Sequence, residues 1–222
     1  MIFCIGNGKS REAIDLHFLK KRGIIYGSNA LYRDFTPDIL VTCDPLMLEE
    51  IIESEYSKEN KVYTTEYGYG NVLEKVPKGH KVSLVPFKKI YPVNSGWTSI
   101  RLAYHFYPEE QIYMIGFDMF GDRKNIYDRT RNYPRGAGLW TKGRYKEKYD
   151  NNAYKDDPKV DMHLQAEKEF RCGEDERVGL FYLLKEEFCP GIRLTRVIDD
   201  NTKIENIDNI TTEQFLEELK WQ

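Results

Sequence analysis

Met1-Ile2-Phe3-Cys4-Ile5-Gly6-Asn7-Gly8-Lys9-Ser10-Arg11 is the stretch that decides the fold. An apolar run, Ile2 to Ile5, stops abruptly at a glycine-rich polar loop, and helix-compatible sequence follows. This order predicts a buried first strand, a tight turn and the start of a helix. Glycines let backbone N–H groups turn toward a ligand, and a helix start carries partial positive charge, so the place suits a phosphate. Lys9 and Arg11 add full charges. Neither G-x-G-x-x-G nor G-x-x-x-x-G-K-[ST] is present, and glycine turns also meet purely steric needs in α/β proteins.

The same alternation continues downstream. Glu12 to Lys21 carries Ala13, Ile14, Leu16 and Phe18 and predicts the first helix. Ile24-Ile25-Tyr26 predicts a second strand, ending in Gly27-Ser28-Asn29-Ala30. Ile39 to Cys43 is too apolar for a half-exposed strand and reads as buried parallel β. Asp44 ends it, and Pro45 to Ser54 predicts a helix with proline in its first turn. Lys61–Thr65 and Lys81–Phe87 predict short strands, Asn94-Ser95-Gly96 opens a helix reaching His105, and Gln111–Gly116 predicts another buried strand ending in Phe117-Asp118. Helices over Met162–Arg171 and Glu174–Glu187, a strand over Ile192–Ile198 and a helix over Thr212–Trp221, capped by Thr211 or Thr212, complete the reading. The expected fold class is α/β, a Rossmann-like, doubly wound, mostly parallel sheet, as one domain over residues 1–222. In such sheets ligands sit beyond the carboxyl ends of the strands. Gly6, Asn7, Gly8, Lys9, Ser10, Asn29, Asp44, Ser95, Gly96 and Asp118 all fall at such ends or at the helix starts that follow them.

Residues 119–161 break the pattern. They are polar and aperiodic, with Phe120, Tyr127, Tyr133, Trp140, Tyr145, Tyr149 and Tyr154 among many Arg and Lys. A connection this long reads as a lid-like insertion, expected to fold over the site because it leaves the sheet right after Asp118.

Bulk composition narrows the functional classes. The chain has 222 residues, 41% hydrophobic and 31% charged, with a net charge of −3 and 14% aromatics; its mean hydropathy is −0.63. Near-neutral charge argues against binding nucleic acid through a global basic field. Cys4, Cys43, Cys172 and Cys189 form no C-x-x-C pair, a pattern that suits a reducing compartment and argues against zinc. The first residues read as core strand and not as signal peptide, and no apolar run reaches membrane-span length, so a cytoplasmic location is expected.

These strand ends resemble a known pattern. Bacterial sialyltransferase-like glycosyltransferases and the related motility-accessory-factor proteins begin with a strand and G-N-G-P-S. That family includes a domain of unknown function also found in a hydroxymethylpterin pyrophosphokinase. Its members continue through a strand ending in an Asn-containing turn to S-G, a helix and a strand of the type I-Y-L-x-G-x-D. The counterparts here are Gly6-Asn7-Gly8-Lys9-Ser10, Gly27-Ser28-Asn29, Ser95-Gly96 and Ile112-Tyr113-Met114-Ile115-Gly116-Phe117-Asp118, in the same order over residues 1 to 120. Lys9 replaces the family proline, and the insertion after Asp118 has no aligned counterpart. Asn29 to Phe35 with Pro37-Asp38 also looks like proteins encoded by tailed phages, which would put the chain in a host cytoplasm.

The resemblance implies transfer of a sugar from a nucleotide-activated donor to an unidentified acceptor, without a required cofactor. It implies a general base at His163 and tyrosines, Tyr127 and Tyr133, supporting the leaving phosphate. Asn7 and Asn29 would hydrogen-bond the nucleotide, and Arg129 or Arg131 would add charge-assisted bonds. Two alternatives stand beside it. Asp44 and Asp118 could hold Mg²⁺ for diphosphate transfer, as in a pyrophosphokinase, or simply cap helices and loops. The basic-aromatic lid could grip single-stranded nucleic acid on a catalytically idle scaffold, the less favoured partner.

Overall fold

The computed structural model describes residues 1–66, 72–87, 94–118, 125–127, 130–133, 184–200, 202–204 and 206–220. Among the described residues eight strands form one sheet: β1 (Ile2–Ile5), β2 (Ile24–Ser28), β3 (Ile39–Val41), β4 (Val62–Thr64), β5 (Val82–Leu84), β6 (Gln111–Ile115), β7 (Arg193–Val197) and β8 (Asp208–Ile210). Their order is β5-β4-β3-β2-β1-β6-β7-β8, and every neighbouring pair is parallel. The expected α/β sheet is present, and it is parallel throughout. Among the helices are α1 (Leu16–Lys20), α2 (Pro45–Glu53), α3 (Tyr56–Glu59), α4 (Ser95–Phe106) and α5 (Thr212–Lys220).

All four β1 residues are fully buried, as a central strand covered on both faces must be. Alternation sends Phe3 and Ile5 into one layer with Leu19, Met47 and Phe215. Ile2 and Cys4 enter the other, against Ile100, Leu102 and Ala103 of α4. β1 pairs with β2 on one side and β6 on the other, so the strand order reverses there. That reversal is the topological switch point, where open parallel sheets offer a crevice.

Several boundaries differ from expectation for local reasons. The helix expected over Glu12–Lys21 is divided into a 3₁₀ turn, Lys9–Ala13, and α1. Ile14 between them is extended, and Asp15 caps α1 by accepting the His17 N–H at 2.8 Å. Arg11, inside the 3₁₀ turn, points into the protein and is 5% exposed. The short α3 and edge strand β8 were not foreseen; Asp208-Asn209-Ile210 is too short and polar to stand out. Of the helix expected over Glu174–Glu187, only its end is described, as a π turn at Leu184–Phe188, and Met162–Arg171 lies outside the described residues.

Thr211 caps α5. Its hydroxyl accepts the Gln214 N–H at 3.2 Å, and Gln214 Oε1 accepts the Thr211 N–H at 2.9 Å. This reciprocal box predicts that Thr211→Ala lowers stability by about 1 kcal/mol in denaturant unfolding, with Thr211→Ser near neutral.

Cys4, Cys43 and Cys189 are buried free thiols. Among the described residues no helix is long and apolar enough to cross a membrane.

Candidate functional site

At the switch point the loops after β1 and β6 stay joined beyond the strands. The Gly6 N–H donates to the Ile115 carbonyl at 2.8 Å, and the Gly8 N–H to the Gly116 carbonyl at 2.9 Å. Gly116 has φ +75°, and a Cβ there would stand 2.8 Å from the Gly6 carbonyl oxygen, so only glycine fits without strain.

The predicted anion position at the start of the first helical turn already holds an anion. Asp118 accepts the Ser10 N–H at 3.0 Å and also the Ser10 hydroxyl. A carboxylate from 108 residues away thus caps the 3₁₀ turn. The Lys9 side chain is largely exposed and approaches Glu12 at 4.0 Å.

The next strand ends meet beside it. Asn29 sits in a left-handed conformation, φ 51°, right after β2. Its Oδ1 accepts from the Ser95 hydroxyl at 2.7 Å and the Thr42 hydroxyl at 3.0 Å. Ser95 Oγ in turn accepts the Cys43 N–H at 2.9 Å. The ends of β2 and β3 are thereby tied to the first turn of α4. Asn94 caps that helix, accepting from Gly96 N–H at 2.8 Å and Trp97 N–H at 3.4 Å. Asp44 caps α2 through the Leu46 N–H at 3.0 Å. The Cys43 thiol donates to the Thr98 hydroxyl at 3.2 Å; burial pushes its pKa up to about 11 despite its hydrogen bonding with Thr98 and Ser95, so it is no thiolate nucleophile at neutral pH.

The described pieces of the insertion, 125–127 and 130–133, form a strap over the first loop. Asn125 bridges Gly8 in antiparallel fashion, and the Ile126 N–H donates to the Asn7 carbonyl at 3.0 Å. Asn7 Nδ2 donates to the Tyr133 hydroxyl at 3.1 Å. Tyr127 and Tyr133 are both buried in the layer that contains Phe3 and Ile5. The Tyr127 hydroxyl donates to Asp34 Oδ1 at 2.6 Å and accepts from Arg11 at 2.6 Å. Burial first, then the Asp34 hydrogen bond, holds its pKa far above the ordinary tyrosine value. Tyr127 therefore acts as a neutral buried anchor in this arrangement.

A second anchor holds the strap to α2. Arg33 forks onto Glu50 through Nε at 2.8 Å and Nη2 at 2.6 Å, and donates to Thr130 Oγ1 at 2.6 Å and the Arg131 carbonyl at 2.7 Å. Glu50 also accepts from Tyr32 at 2.6 Å and from Asn132 Nδ2 at 2.7 Å. Arg131 itself pairs with Glu53 at 2.6 Å. Arg129 and His163 lie outside the described residues.

The structure therefore brings Gly6, Asn7, Gly8, Ser10, Ser95, Gly96, Asn29 and Asp118 to one rim, with Asp44 at the head of neighbouring α2. Reasoning from sequence missed the anchors Arg11–Asp34 and Arg33–Glu50, whose partners are distant in the chain. It also missed Arg196, fully buried on β7, which donates to Thr202 at 3.2 Å and the Phe117 carbonyl at 3.4 Å. One signal was available: β7 alternation puts Arg196 on the same side as buried Leu194. Among the described residues no group of three or more His, Cys, Asp or Glu side chains is arranged to hold a metal ion. No family model, no curated protein and no solved structure matches the chain.

Proposed function

We propose that this rim binds a nucleotide-activated sugar and that the protein is a glycosyltransferase-like enzyme. The observation that carries the reading is the Asn29–Ser95 hydrogen bond of 2.7 Å, which joins the polar ends of β2 and β3 to the start of α4 beside the β1/β6 reversal. Ligands of parallel sheets gather at such a reversal. The Gly6–Ser10 loop adds amides and the side chain of Asn7. Asp118 already caps the first turn and Asn94 the start of α4, so the donor's phosphate belongs nearer the exposed Lys9, between the two. Tyr127 and Tyr133 are both buried in the layer with Phe3 and Ile5, so in this scheme they hold the strap and the exposed Lys9 supports the leaving phosphate. In this scheme His163 takes the acceptor hydroxyl's proton, as an imidazole can near neutral pH.

The Mg²⁺-dependent alternative has less support, since Asp44 caps α2 and Asp118 caps the turn at Ser10. Thermal-shift titration checks the reading. Stabilisation by a CMP- or UDP-type nucleotide without metal, weakened about tenfold or more by Ser95→Ala, is the expected outcome. A strict Mg²⁺ requirement would favour diphosphate transfer, and no nucleotide response would reject the site. His163→Ala should abolish turnover and leave nucleotide binding unchanged; unaltered turnover would remove it from the mechanism.

A further inference from the structure

The Phe117 ring bridges the two halves of this rim. A Cβ added at Gly6 would stand 3.4 Å from Cδ2, and one added at Gly96 would stand 2.7 Å from Cε1 and 3.1 Å from Cζ. Cδ2 and Cε1 are opposite corners of the ring, so the ring lies between the two glycine backbones. Any larger side chain at Gly96 would push the ring away. The Phe117 carbonyl is held in turn by the fully buried Arg196. The ring packs on the layer beneath α4 yet remains only partly buried. An aromatic ring held between two glycines and partly open to solvent offers a surface for stacking.

A second observation is independent of the ring. Asn7 Oδ1 is shielded from solvent, and among the described residues no donor reaches it, although Asn7 Nδ2 meets Tyr133. Buried amide oxygens are normally hydrogen-bonded, and each orphan calls for a partner. If the amide is turned over, its NH₂ becomes the orphan instead, so one polar atom remains unpaired in either orientation and a ligand that displaces its cover would satisfy it. A planar group with hydrogen-bonding edges satisfies both features. The strap already fills the Tyr127 and Tyr133 side of the first loop, which leaves the α4 side, where Phe117 lies, for the ligand.

We propose that Phe117 is the stacking platform for a nucleobase, with the Asn7 amide bonding that base's polar edge or its ribose. This deepens the nucleotide reading and rests on it. Sugar phosphates without a base would then bind poorly, and the base would set specificity.

The test compares wild type, Phe117→Leu and Phe117→Trp by calorimetric titration with the four nucleoside 5′-monophosphates and with ribose 5-phosphate. Leu keeps apolar bulk between Gly6 and Gly96 but removes the aromatic face. Phe117→Leu should weaken the preferred nucleotide about ten- to a hundredfold, leave ribose 5-phosphate within about twofold, and keep the wild-type unfolding midpoint within a few degrees. Phe117→Trp should restore most of the affinity. Undiminished nucleotide binding by Phe117→Leu, or equal losses for nucleotide and ribose 5-phosphate, overturns the platform alone. A wild-type protein that binds none of the monophosphates overturns the nucleotide reading and the platform with it.

Discussion

Glu50→Ala is expected to lower stability by about 3 kcal/mol and to free the strap from the first loop. The carboxylate accepts from Tyr32, Arg33 and Asn132, and its side chain is 9% exposed. Removing one member of a buried ion pair leaves the other charge poorly solvated, at a cost of about 3–5 kcal/mol. The low end applies because the Arg33 side chain is 20% exposed and keeps its bonds to Thr130 and Arg131. Hydrogen exchange should quicken first at Ile126, Thr130 and Tyr133, whose N–H groups donate within the strap or to Asn7. Unchanged protection there would show that Arg11 and Asp34 hold the strap unaided. The effect depends on pH. Burial on its own would raise the Glu50 pKa, but the Tyr32 and Arg33 hydrogen bonds, the Arg33 charge and Asn132 outweigh it and hold the carboxyl below its ordinary value. A depressed carboxylate contributes its full stabilisation above the unfolded value of about 4.3 and loses it as pH falls through the folded one. The stability gap between wild type and Glu50→Gln should therefore narrow as the pH drops below that value.

Gly116→Ala should cost a comparable amount, about 3 kcal/mol, by two separable effects. The left-handed φ of +75° penalises any L side chain by about 1–2 kcal/mol. The added methyl also meets the Gly6 carbonyl oxygen at 2.8 Å, which forces apart the joined β1 and β6 loops. Gly191→Ala supplies the control. It has φ +78° with nothing within 4 Å of its added Cβ, so only the conformational part applies there, and the loss should be about 1 kcal/mol. Equal losses for the two variants in denaturant unfolding would mean that the close approach at the switch point carries no energy.

Much of this architecture was legible in the residues because parallel strands buried on both faces must be apolar runs. Ile2–Ile5, Ile39–Val41 and Gln111–Ile115 stand out for that reason, and the Asp44-Pro45 and Asn94-Ser95-Gly96 junctions announce helix starts through short-range capping chemistry. What stayed hidden depends on partners far along the chain. A glycine loop before a helical turn says that an anion is welcome, but not that the protein supplies one itself from Asp118. Arg11 has the local look of a surface residue beside a phosphate. Only the fold brings Asp34 and Tyr127 to it and turns it inward. Glu50, midway along an amphipathic helix, likewise gives no sign that it anchors residues eighty positions away.

The position of β1 bears on how the chain assembles. Residues 2–5 can find β2 soon after synthesis, and β3, β4 and β5 can add outward in chain order. The partner on the other side, β6, emerges about a hundred residues later, and β7 later still. Pairings that span so much chain are slow to form. Ribosome-bound chains halted before residue 111 should thus carry one flank of a sheet with its innermost strand bare along one edge. The rim that would receive a ligand is finished only when that edge is covered.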